Sequence, residues 1–178
     1  MTLSNGEGRK MTAGFPPIAG KEARLLILGT MPSVKSQEKR QYYGHPQNAF
    51  WPILYALWER PLEADYGRRC RFLLDQDIAL WDVLARCYRT GSADTAIREP
   101  AANDFTAFAA AHPHIQGVFF NSQNAGKLYE RLVKPDPFSA LPKITLPSTS
   151  PARAMRFEDK LALWRPLRRF WEEAAGKC

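Results

Sequence analysis

The sequence has few cysteines and no long apolar run, and each shortage excludes a class of protein. Its three cysteines, Cys70, Cys87 and Cys178, are scattered and odd in number, which argues against a CxxC metal site and favours a reducing compartment. No apolar stretch approaches the ~18 residues that a transmembrane helix needs. Residues 1–10 lack the apolar segment of a secretory signal. We therefore expect a cytoplasmic protein that does not associate with a membrane.

Motifs for common cofactors are missing as well. The sequence contains no P-loop, no dinucleotide-binding fingerprint and no cluster of residues at metal-ligand spacing. We therefore expect an activity that needs neither a metal ion nor an organic cofactor.

The composition is that of one folded domain. The chain has 178 residues, of which 45% are hydrophobic, enough for a full core but short for two domains. Lys and Arg outnumber Asp and Glu by 25 to 18, and the net charge of +7 favours a polyanionic partner without identifying DNA. Residues 1–20 are predicted to form a loosely ordered arm without regular structure, in which Phe15 and the two prolines after it dock on the body. Residues 21–178 are predicted to form a single domain.

The chain is organised around residues 24–58. Residues 24–28 are a short apolar run, which favours a strand covered on both faces. The small residues of GTMPS, at 29–33, end this run, and a polar loop with two adjacent tyrosines follows. Apolar residues then recur at helical spacing over 50–58. Because ligands of open α/β sheets bind at the carboxyl ends of the strands, we expect the active site at the GTMPS turn.

Three further apolar runs alternate with helical patterns along the chain. The predicted strands are residues 78–84, 115–120 and 143–146, and the predicted helices are 67–74, 103–111, 123–133 and a last helix beginning near 157. This alternation predicts a three-layer α/β/α sandwich with a central four-stranded parallel sheet. We also expect Asn103 to cap its helix, Pro166 to kink or restart the last helix, and residues 86–100 to form a polar rim loop that carries Arg89, Ser92 and Asp94.

Three motifs together resemble a known family. GTMPS at 29–33, YYGHPQNAFW at 42–51 and PSTSPAR at 147–153 are similar to motifs of the uracil-DNA glycosylase superfamily. The chain is most similar to the hypoxanthine-DNA (deoxyinosine) glycosylase branch. The mismatch-uracil branch writes related motifs as G-I-N-P-G, H-P-x-N-x-F-W and P-S-S-S-A-R. With three cysteines, the chain cannot build the four-cysteine iron–sulfur cluster that some branches carry.

The resemblance implies an activity and a partner. It implies a uracil-DNA glycosylase-like fold and a monomeric, monofunctional enzyme acting on double-stranded DNA that contains a deaminated base, most simply hypoxanthine. The enzyme would flip the base out and hydrolyse its N-glycosidic bond, leaving an abasic site. Three alternatives stay open: a mismatch-specific uracil or thymine glycosylase, a lesion-binding module that flips bases without cutting, and a small-molecule enzyme of similar α/β form.

The resemblance also implies roles for individual residues. The catalytic residue would be Asn48, whose amide can hold a base edge or orient a water, although an Asn before a helix is also an ordinary N-cap. The residues expected to bind the base are Gly29, Thr30, Met31, Pro32, Ser33, Tyr43, His45 and Asn121, with Tyr43 as the stacking platform. Those expected to bind DNA are Ser36, Ser148, Thr149, Ser150, Pro151, Ala152 and Arg153, with Arg153 entering the vacated stack.

The chain departs from the uracil-excising branches at three points. Met31 stands where the mismatch branch has its catalytic Asn, no Asp or Glu lies between Gly29 and Gln37, and PSTSPAR contains no His. These departures point away from efficient uracil excision. Asp82, after the second strand, would be a base or a structural cap, and we expect the cap.

Overall fold

The computed structural model describes residues 10–176, which contain seven strands and six α-helices. The strands are β1 (Met11–Ala13), β2 (Leu25–Gly29), β3 (Ile78–Asp82), β4 (Leu84–Tyr88), β5 (Arg98–Ala102), β6 (Gly117–Phe120) and β7 (Lys143–Thr145). The helices are α1 (Val34–Lys39), α2 (Phe50–Leu57), α3 (Tyr66–Asp75), α4 (Phe105–Ala111), α5 (Gln123–Leu132) and α6 (Phe157–Ala174).

Four strands form the central sheet, in the order β3-β2-β6-β7, and every neighbouring pair is parallel. All residues of β2, β3 and β6 are buried, whereas β7 at the edge has exposed ends. Continuous apolar sequence is what a parallel strand needs when helices cover both of its faces. The predicted four-stranded parallel sheet is confirmed.

Helices lie on both faces of this sheet. Adjacent side chains of a strand point to opposite faces, and on β6 the ring of Phe119 meets Phe170 of α6 while Phe120 meets Tyr129 of α5. Helix α2 packs on α6 through Phe50 and Trp164, with ring centroids 6.0 Å apart. The predicted three-layer α/β/α arrangement is therefore confirmed.

The strand order places a crevice between β2 and β6. From β2 the chain moves to β3 on one side, then crosses to β6 on the other. Such a reversal separates the connections that leave the two strands and opens a crevice at their carboxyl ends, where open α/β folds bind ligands. In this chain those ends are Gly29 and Phe120, and Asn121 follows directly.

A second sheet corrects two expectations from the sequence. Strands β1, β4 and β5 form a three-stranded antiparallel sheet. Thus residues 11–13 of the predicted loose arm are a strand, paired with 86–88, and much of the predicted rim loop is β-structure. These strands are only three to five residues long and lack a regular alternation of apolar and polar residues, and cross-strand pairing supplies their order. Residues 1–9 of the arm lie outside the described part.

The expected docking of the arm on the body is confirmed. The Tyr42 hydroxyl donates to the Pro16 carbonyl at 2.8 Å, and Trp81 Nε1 donates to the Phe15 carbonyl at 3.0 Å. These bonds give buried polar groups their partners and fix where the arm lies.

Three local expectations about helices were wrong. Helix α1 lies within the predicted polar loop; Ser33 caps it, and its polar sequence has no apolar stripe to reveal it. Asp104 caps α4 in place of Asn103, whose Nδ2 donates to the Asp82 carbonyl at 2.8 Å. Of the two outcomes predicted for Pro166, the restart is wrong, because α6 continues from Phe157 to Ala174 with Trp164 and Leu167 buried on either side of the proline, whereas the kink stays a prediction.

Candidate active site

A cavity of about 650 Å³ opens at the crevice between β2 and β6. Its walls come from the GTMPS turn, the tyrosine loop, the end of β3, the loop before β5, the start of α5 and PSTSPAR. The lining residues are Gly29, Thr30, Met31, Pro32, Ser33, Ser36, Tyr42, Tyr43, Asn48, Asp82, Ser92, Ala93, Asp94, Thr95, Asn121, Ser122, Asn124, Ser148, Thr149, Ser150, Ala152 and Arg153. The structure thus brings the three sequence motifs together at one place.

The GTMPS turn is held from behind by the loop that precedes β5. Buried Arg89 donates through Nη2 to the Pro32 carbonyl, and its Nη1 lies 3.8 Å from Asp94 Oδ1. Thr30 donates its hydroxyl to Asp94 Oδ2 at 3.0 Å, and Ser92 Oγ accepts from the Val34 N–H at 2.9 Å. The predicted rim position of this loop is confirmed, and its bonds make the turn a rigid floor.

Tyr43 provides an aromatic wall. Its ring stacks on Phe50, the first residue of α2, with centroids 4.0 Å apart and planes 21° from parallel. The backbone of Tyr43 has φ of 53°, an uncommon conformation for an aromatic residue. The phenol oxygen is buried beside the Asn121 side chain and makes no hydrogen bond of normal geometry. Burial, and then the negative charge of Asp82, raise its pKa. The aromatic wall is therefore neutral and fixed.

Asp82 forms part of the cavity floor, at the end of β3 and beside Gly29 in the sheet. The side chain is buried, and its Oδ2 has no hydrogen-bond partner. Burial, and then the charge of Asp94, raise the pKa of Asp82 to about 7, while Arg89 opposes the shift. The structural cap expected for Asp82 is not seen: its carboxyl caps no helix, and Asn103 binds only its backbone carbonyl.

Asn121 and Thr149 join the end of β6 to PSTSPAR. The Thr149 N–H donates to Asn121 Oδ1 at 3.0 Å, and Asn121 Nδ2 donates to Thr149 Oγ1 at 2.8 Å. Both residues are buried. Asn121 therefore lines the cavity as predicted, whereas the Thr149 hydroxyl is occupied within the protein, which corrects its assignment to DNA.

Asn48 lies at the cavity edge, just before α2. Its Oδ1 accepts from the Phe50 N–H, two residues on, at 2.9 Å, which makes an Asx turn ahead of the helix. The next residue, Ala49, is the N-cap of α2 and donates its N–H to the Thr149 carbonyl at 3.0 Å. Asn48 is therefore not the N-cap that its position suggested, and its turn holds the amide at the cavity edge.

PSTSPAR reaches the surface beyond Thr149. Ser148 and Ser150 are half-buried and accept from backbone N–H groups two residues on, while Pro151, Ala152 and Arg153 are exposed. The exposed residues form a turn at the mouth of the cavity, and their contact with DNA stays a prediction.

Lys160 is a residue that sequence reasoning missed. Its side chain is buried, and its Nζ donates to the Ser150 carbonyl at 3.0 Å, beneath the exposed turn. Burial, and then the charge of Arg153, lower its pKa. A signal was available, because Lys160 falls four residues before Trp164 on the buried stripe of α6. A lysine at a position of the helix that faces the core is predicted to place its positive charge in a buried environment.

Two predicted site residues use their side chains within the protein, His45 outside the cavity and Ser36 in its wall. His45 does not line the cavity, and its Nδ1 accepts from the Gln47 N–H at 3.1 Å, within its own loop. Ser36 is buried, and its hydroxyl accepts from the Gly44 N–H at 3.0 Å and from Ser33 at 3.2 Å. These contacts correct the assignments of His45 to the base and of Ser36 to DNA, because both side chains hold the loop.

Between residues 10 and 176, no three His, Cys, Asp or Glu side chains gather in a metal-binding arrangement. No helix within that range combines the length and the apolar character that crossing a bilayer requires. The absence of a cofactor stays a prediction.

Fold and cavity together define an α/β protein with a polar, aromatic-walled pocket at a topological switch point. The model of the family described as "Uracil DNA glycosylase superfamily" matches residues 16–175. A hypoxanthine DNA glycosylase of Methanosarcina barkeri (strain Fusaro) is 36% identical over 122 residues, 68% of this chain and 77% of that protein. A hypoxanthine DNA glycosylase of Methanosarcina acetivorans is 33% identical over 152 residues, 85% of this chain and 94% of that protein.

A solved structure resembles the whole fold. The solution NMR structure of a candidate uracil DNA glycosylase from Methanosarcina acetivorans superimposes with a TM-score of 0.78 at 31% identity, covering 92% of this chain and 99% of that one. The chain therefore belongs to the uracil DNA glycosylase superfamily, and it is a DNA glycosylase of that superfamily.

Proposed function

We propose that this protein releases hypoxanthine from deoxyinosine in double-stranded DNA by hydrolysing the N-glycosidic bond, as a monomer and without a lyase step. The observation that carries the proposal is the convergence of Tyr43, Asn48 and Asn121 in one cavity whose mouth is the exposed turn 151–153. The names of the two Methanosarcina relatives support the choice of hypoxanthine. Met31, in place of an Asn, supports it further.

The base would enter the cavity by flipping out of the duplex. Tyr43 offers one face for stacking, because its other face is held against Phe50 at 4.0 Å. Base–aromatic stacking contributes about 1–3 kcal/mol. The platform is fixed before the base arrives, so little ordering is needed on binding. The backbone of the GTMPS turn would lie along the base edge.

Asn48 would act where the sugar meets the cavity. Its Oδ1 is held by the Phe50 N–H, which fixes the plane of the amide. The amide nitrogen carries the donors that a base edge or an attacking water requires. As the glycosidic bond breaks, the sugar becomes oxocarbenium-like and negative charge develops on the base, where the fixed amide N–H donors would stabilise it.

The exposed turn 151–153 would meet the DNA. Ser148 and Ser150 would contact successive phosphates, and Arg153 would enter the space that the flipped base leaves. The neighbouring Lys160 adds a positive charge under this loop. The chain's net charge of +7 would assist the approach to DNA.

Single-turnover excision from labelled duplexes tests the proposal. Duplexes carrying hypoxanthine, uracil, xanthine or thymine are treated with excess enzyme, then with alkali to cleave abasic sites. We expect hypoxanthine to be released fastest. Faster release of uracil or thymine would contradict the proposal in favour of a mismatch glycosylase. Tight duplex binding without any release would favour a lesion-binding module, and trapping of a DNA adduct by borohydride would contradict the absence of a lyase step.

Two variants of Asn48 separate catalysis from the structural role of its bond to the Phe50 N–H. Asn48→Asp keeps an oxygen to accept from the Phe50 N–H, and it removes the amide donors. Asn48→Ala removes both. If the amide is catalytic, both variants lose about 100-fold or more in rate, while Asn48→Asp keeps the wild-type melting temperature. Wild-type excision by Asn48→Asp would show that Asn48 serves only to hold the turn before α2.

A further inference from the structure

Asp82 is the buried polar group that the proposed mechanism has not used. Its carboxyl lies at the base of the cavity, and Oδ2 has no hydrogen-bond partner. A methyl group placed on Gly29 would lie 2.5 Å from Asp82 Oδ1 and 2.9 Å from the Tyr43 hydroxyl oxygen. The absence of a side chain on Gly29 therefore leaves space beside the buried Asp82 Oδ1 and the aromatic wall, where a base would stack.

The charged and titratable groups around Asp82 come from two neighbouring segments. The loop before β5 contributes Asp94, whose charge raises the pKa of Asp82, and Arg89, whose charge lowers it. The tyrosine loop contributes Tyr42 and Tyr43, both neutral because burial raises the pKa of each phenol. Burial is the largest effect on Asp82 and brings its pKa to about 7. A substantial fraction of the molecules thus holds a proton on this carboxyl near neutral pH.

We propose that Asp82 is the general acid of the reaction and protonates a ring nitrogen of the departing purine. This inference rests on the proposed function, since it concerns how the same cavity would release hypoxanthine. The GTMPS turn contains no carboxylate, and Asp82 on the adjacent strand supplies one to the same floor.

The proton and the electrons balance in this scheme. The C1′–N9 bond breaks, and its electron pair remains on the base. The proton of the Asp82 carboxyl moves to N7 or N3, so hypoxanthine leaves as a neutral molecule and Asp82 becomes a carboxylate. Water then bonds to C1′ of the oxocarbenium ion and gives up a proton, which restores the Asp82 acid. General acid catalysis of this kind contributes about 100-fold to 10,000-fold when the acid's pKa lies near the working pH.

This chemistry suits a purine better than a pyrimidine. Hypoxanthine exposes two ring nitrogens, N3 and N7, each with a lone pair that can take a proton while N9 leaves. Uracil has no such ring nitrogen, and its charge develops on carbonyl oxygens that backbone donors stabilise without a proton transfer. A protonated carboxyl in the floor therefore favours hypoxanthine over uracil.

The pH dependence of single-turnover excision tests the role of Asp82. With hypoxanthine DNA, wild-type excision should fall as pH rises from about 6 to 9, because the acid form of Asp82 is lost. Asp82→Asn should be at least about 100-fold slower at pH 6 and show no such fall. Asp94→Asn removes the negative charge that raises the Asp82 pKa, so its decline should begin at lower pH. If Asp82 had only a structural role, the wild-type rate would not fall over this pH range, and Asp94→Asn would not shift the start of a decline.

Substrate analogues locate the proton. In 7-deazahypoxanthine a C–H replaces N7, and in 3-deazahypoxanthine a C–H replaces N3. The wild type should release one of the two about 100-fold more slowly than hypoxanthine, and Asp82→Asn should slow that analogue no further. Equal sensitivity of all three bases to Asp82→Asn, or an unchanged wild-type rate in that variant, would overturn the proposal.

Controls keep this test distinct from that of the proposed function. The melting temperature shows whether Asp82→Asn is folded, and its affinity for a duplex with a stable abasic-site analogue shows whether it binds DNA. If the variant fails either check, the pH profile of Asp94→Asn decides the question. A decline that begins at the wild-type pH in Asp94→Asn would overturn the proposal. Wild-type protein that releases no hypoxanthine would contradict the proposed function itself. Wild-type protein that releases hypoxanthine with a flat pH profile would contradict the role of Asp82 alone.

Discussion

The hydrogen bonding of buried polar atoms differs between two regions, the aromatic core between α2 and α6 and the cavity at the end of β2. In the core, Trp51 donates to the Tyr42 carbonyl at 2.9 Å and Trp164 donates to the Pro147 carbonyl at 2.8 Å. Around the cavity, the Tyr43 hydroxyl, Asp82 Oδ2 and Arg89 Nε lack hydrogen bonds of normal geometry. These are three of the four such side-chain atoms among residues 10–176.

This difference separates stability from function. Buried polar atoms normally have partners, and exceptions concentrate where a ligand or a reaction requires them. The core residues contribute stability through packing and through hydrogen bonds, with the Tyr55 hydroxyl of α2 as the fourth unsatisfied atom. The cavity holds polar groups ready for a base at some cost in stability. Substitutions in the two regions should therefore affect different measurements.

Trp164→Ala should have the largest effect, and it should act on stability. The variant loses the edge contact with Phe50 and the bond to the Pro147 carbonyl, and it leaves a cavity in the core. We expect a loss of about 3–5 kcal/mol in the free energy of unfolding, measured by urea denaturation. Leu163→Ala, on the exposed face of the same helix, is the control and should change it by about 0.5 kcal/mol or less. Similar losses in both variants would contradict the comparison.

Gly29→Ala should act chiefly on excision. The added methyl group would meet Asp82 Oδ1 at 2.5 Å and the Tyr43 hydroxyl at 2.9 Å, so the aromatic wall or the carboxyl must move. A displacement of this size at a reacting centre costs about 100-fold in rate, measured by single-turnover excision. Gly126→Ala is the matched control, because its methyl group would meet ordinary contacts of 3.5 Å. Full activity in Gly29→Ala would show that this part of the floor does not touch the substrate.

Asp82→Asn should increase stability, with an effect that grows with pH. The folded-state pKa of about 7 lies above the unfolded value of 3.8, so between these values the native protein holds a proton that the unfolded chain has lost. Wild-type stability therefore falls as pH rises from about 4 to 7, and the full cost is present above 7. The asparagine does not titrate, so the variant should gain on the order of 4 kcal/mol at pH 8 and less than about 1 kcal/mol at pH 4. Melting curves at both pH values check this; an equal gain at both would exclude ionisation of Asp82 as the cause.

Lys160→Met should have the smallest effect and act on DNA binding. Methionine keeps much of the apolar stem but loses the bond to the Ser150 carbonyl, which holds the exposed turn 151–153. A hydrogen bond contributes about 1 kcal/mol, so we expect roughly a fivefold rise in the half-saturating DNA concentration with a nearly unchanged maximal rate. Lys21→Met removes the same charge near the amino end of β2, away from the cavity, and should change neither value. Equal weakening in both variants would indicate a general charge effect.

The sequence predicted the parts of the fold that depend on continuous apolar segments. The buried strands β2, β3 and β6 were recognised because their residues are almost all apolar. Helix α1 and strands β1 and β4 were missed because their stability comes from caps and cross-strand bonds, which leave no periodic pattern. A hydrophobic pattern in the sequence indicates which face of a helix or strand is buried. It does not reveal short elements that are stabilised by tertiary contacts.

The candidate site was predictable to the level of motifs. GTMPS, Tyr43, Asn48 and PSTSPAR do meet in one cavity, as their resemblance to a family implied. The occupied hydroxyls of Ser36 and Thr149 could not be foreseen, because their partners are far along the chain or in the backbone. The raised pKa of Asp82 was equally hidden, since it depends on burial and on Asp94, twelve positions away in another loop.

Thr149 has a consequence for the timing of events on DNA. Its N–H and hydroxyl hold Asn121, and its carbonyl accepts from the N–H of Ala49, the neighbour of Asn48. Thr149 thus connects the surface turn to both asparagines of the cavity. A shift of this residue when the turn contacts the duplex would be transmitted to the base and the sugar together. Duplex binding and bond cleavage would then be coupled. A base that entered the cavity without its duplex would meet side chains that are not aligned for the reaction.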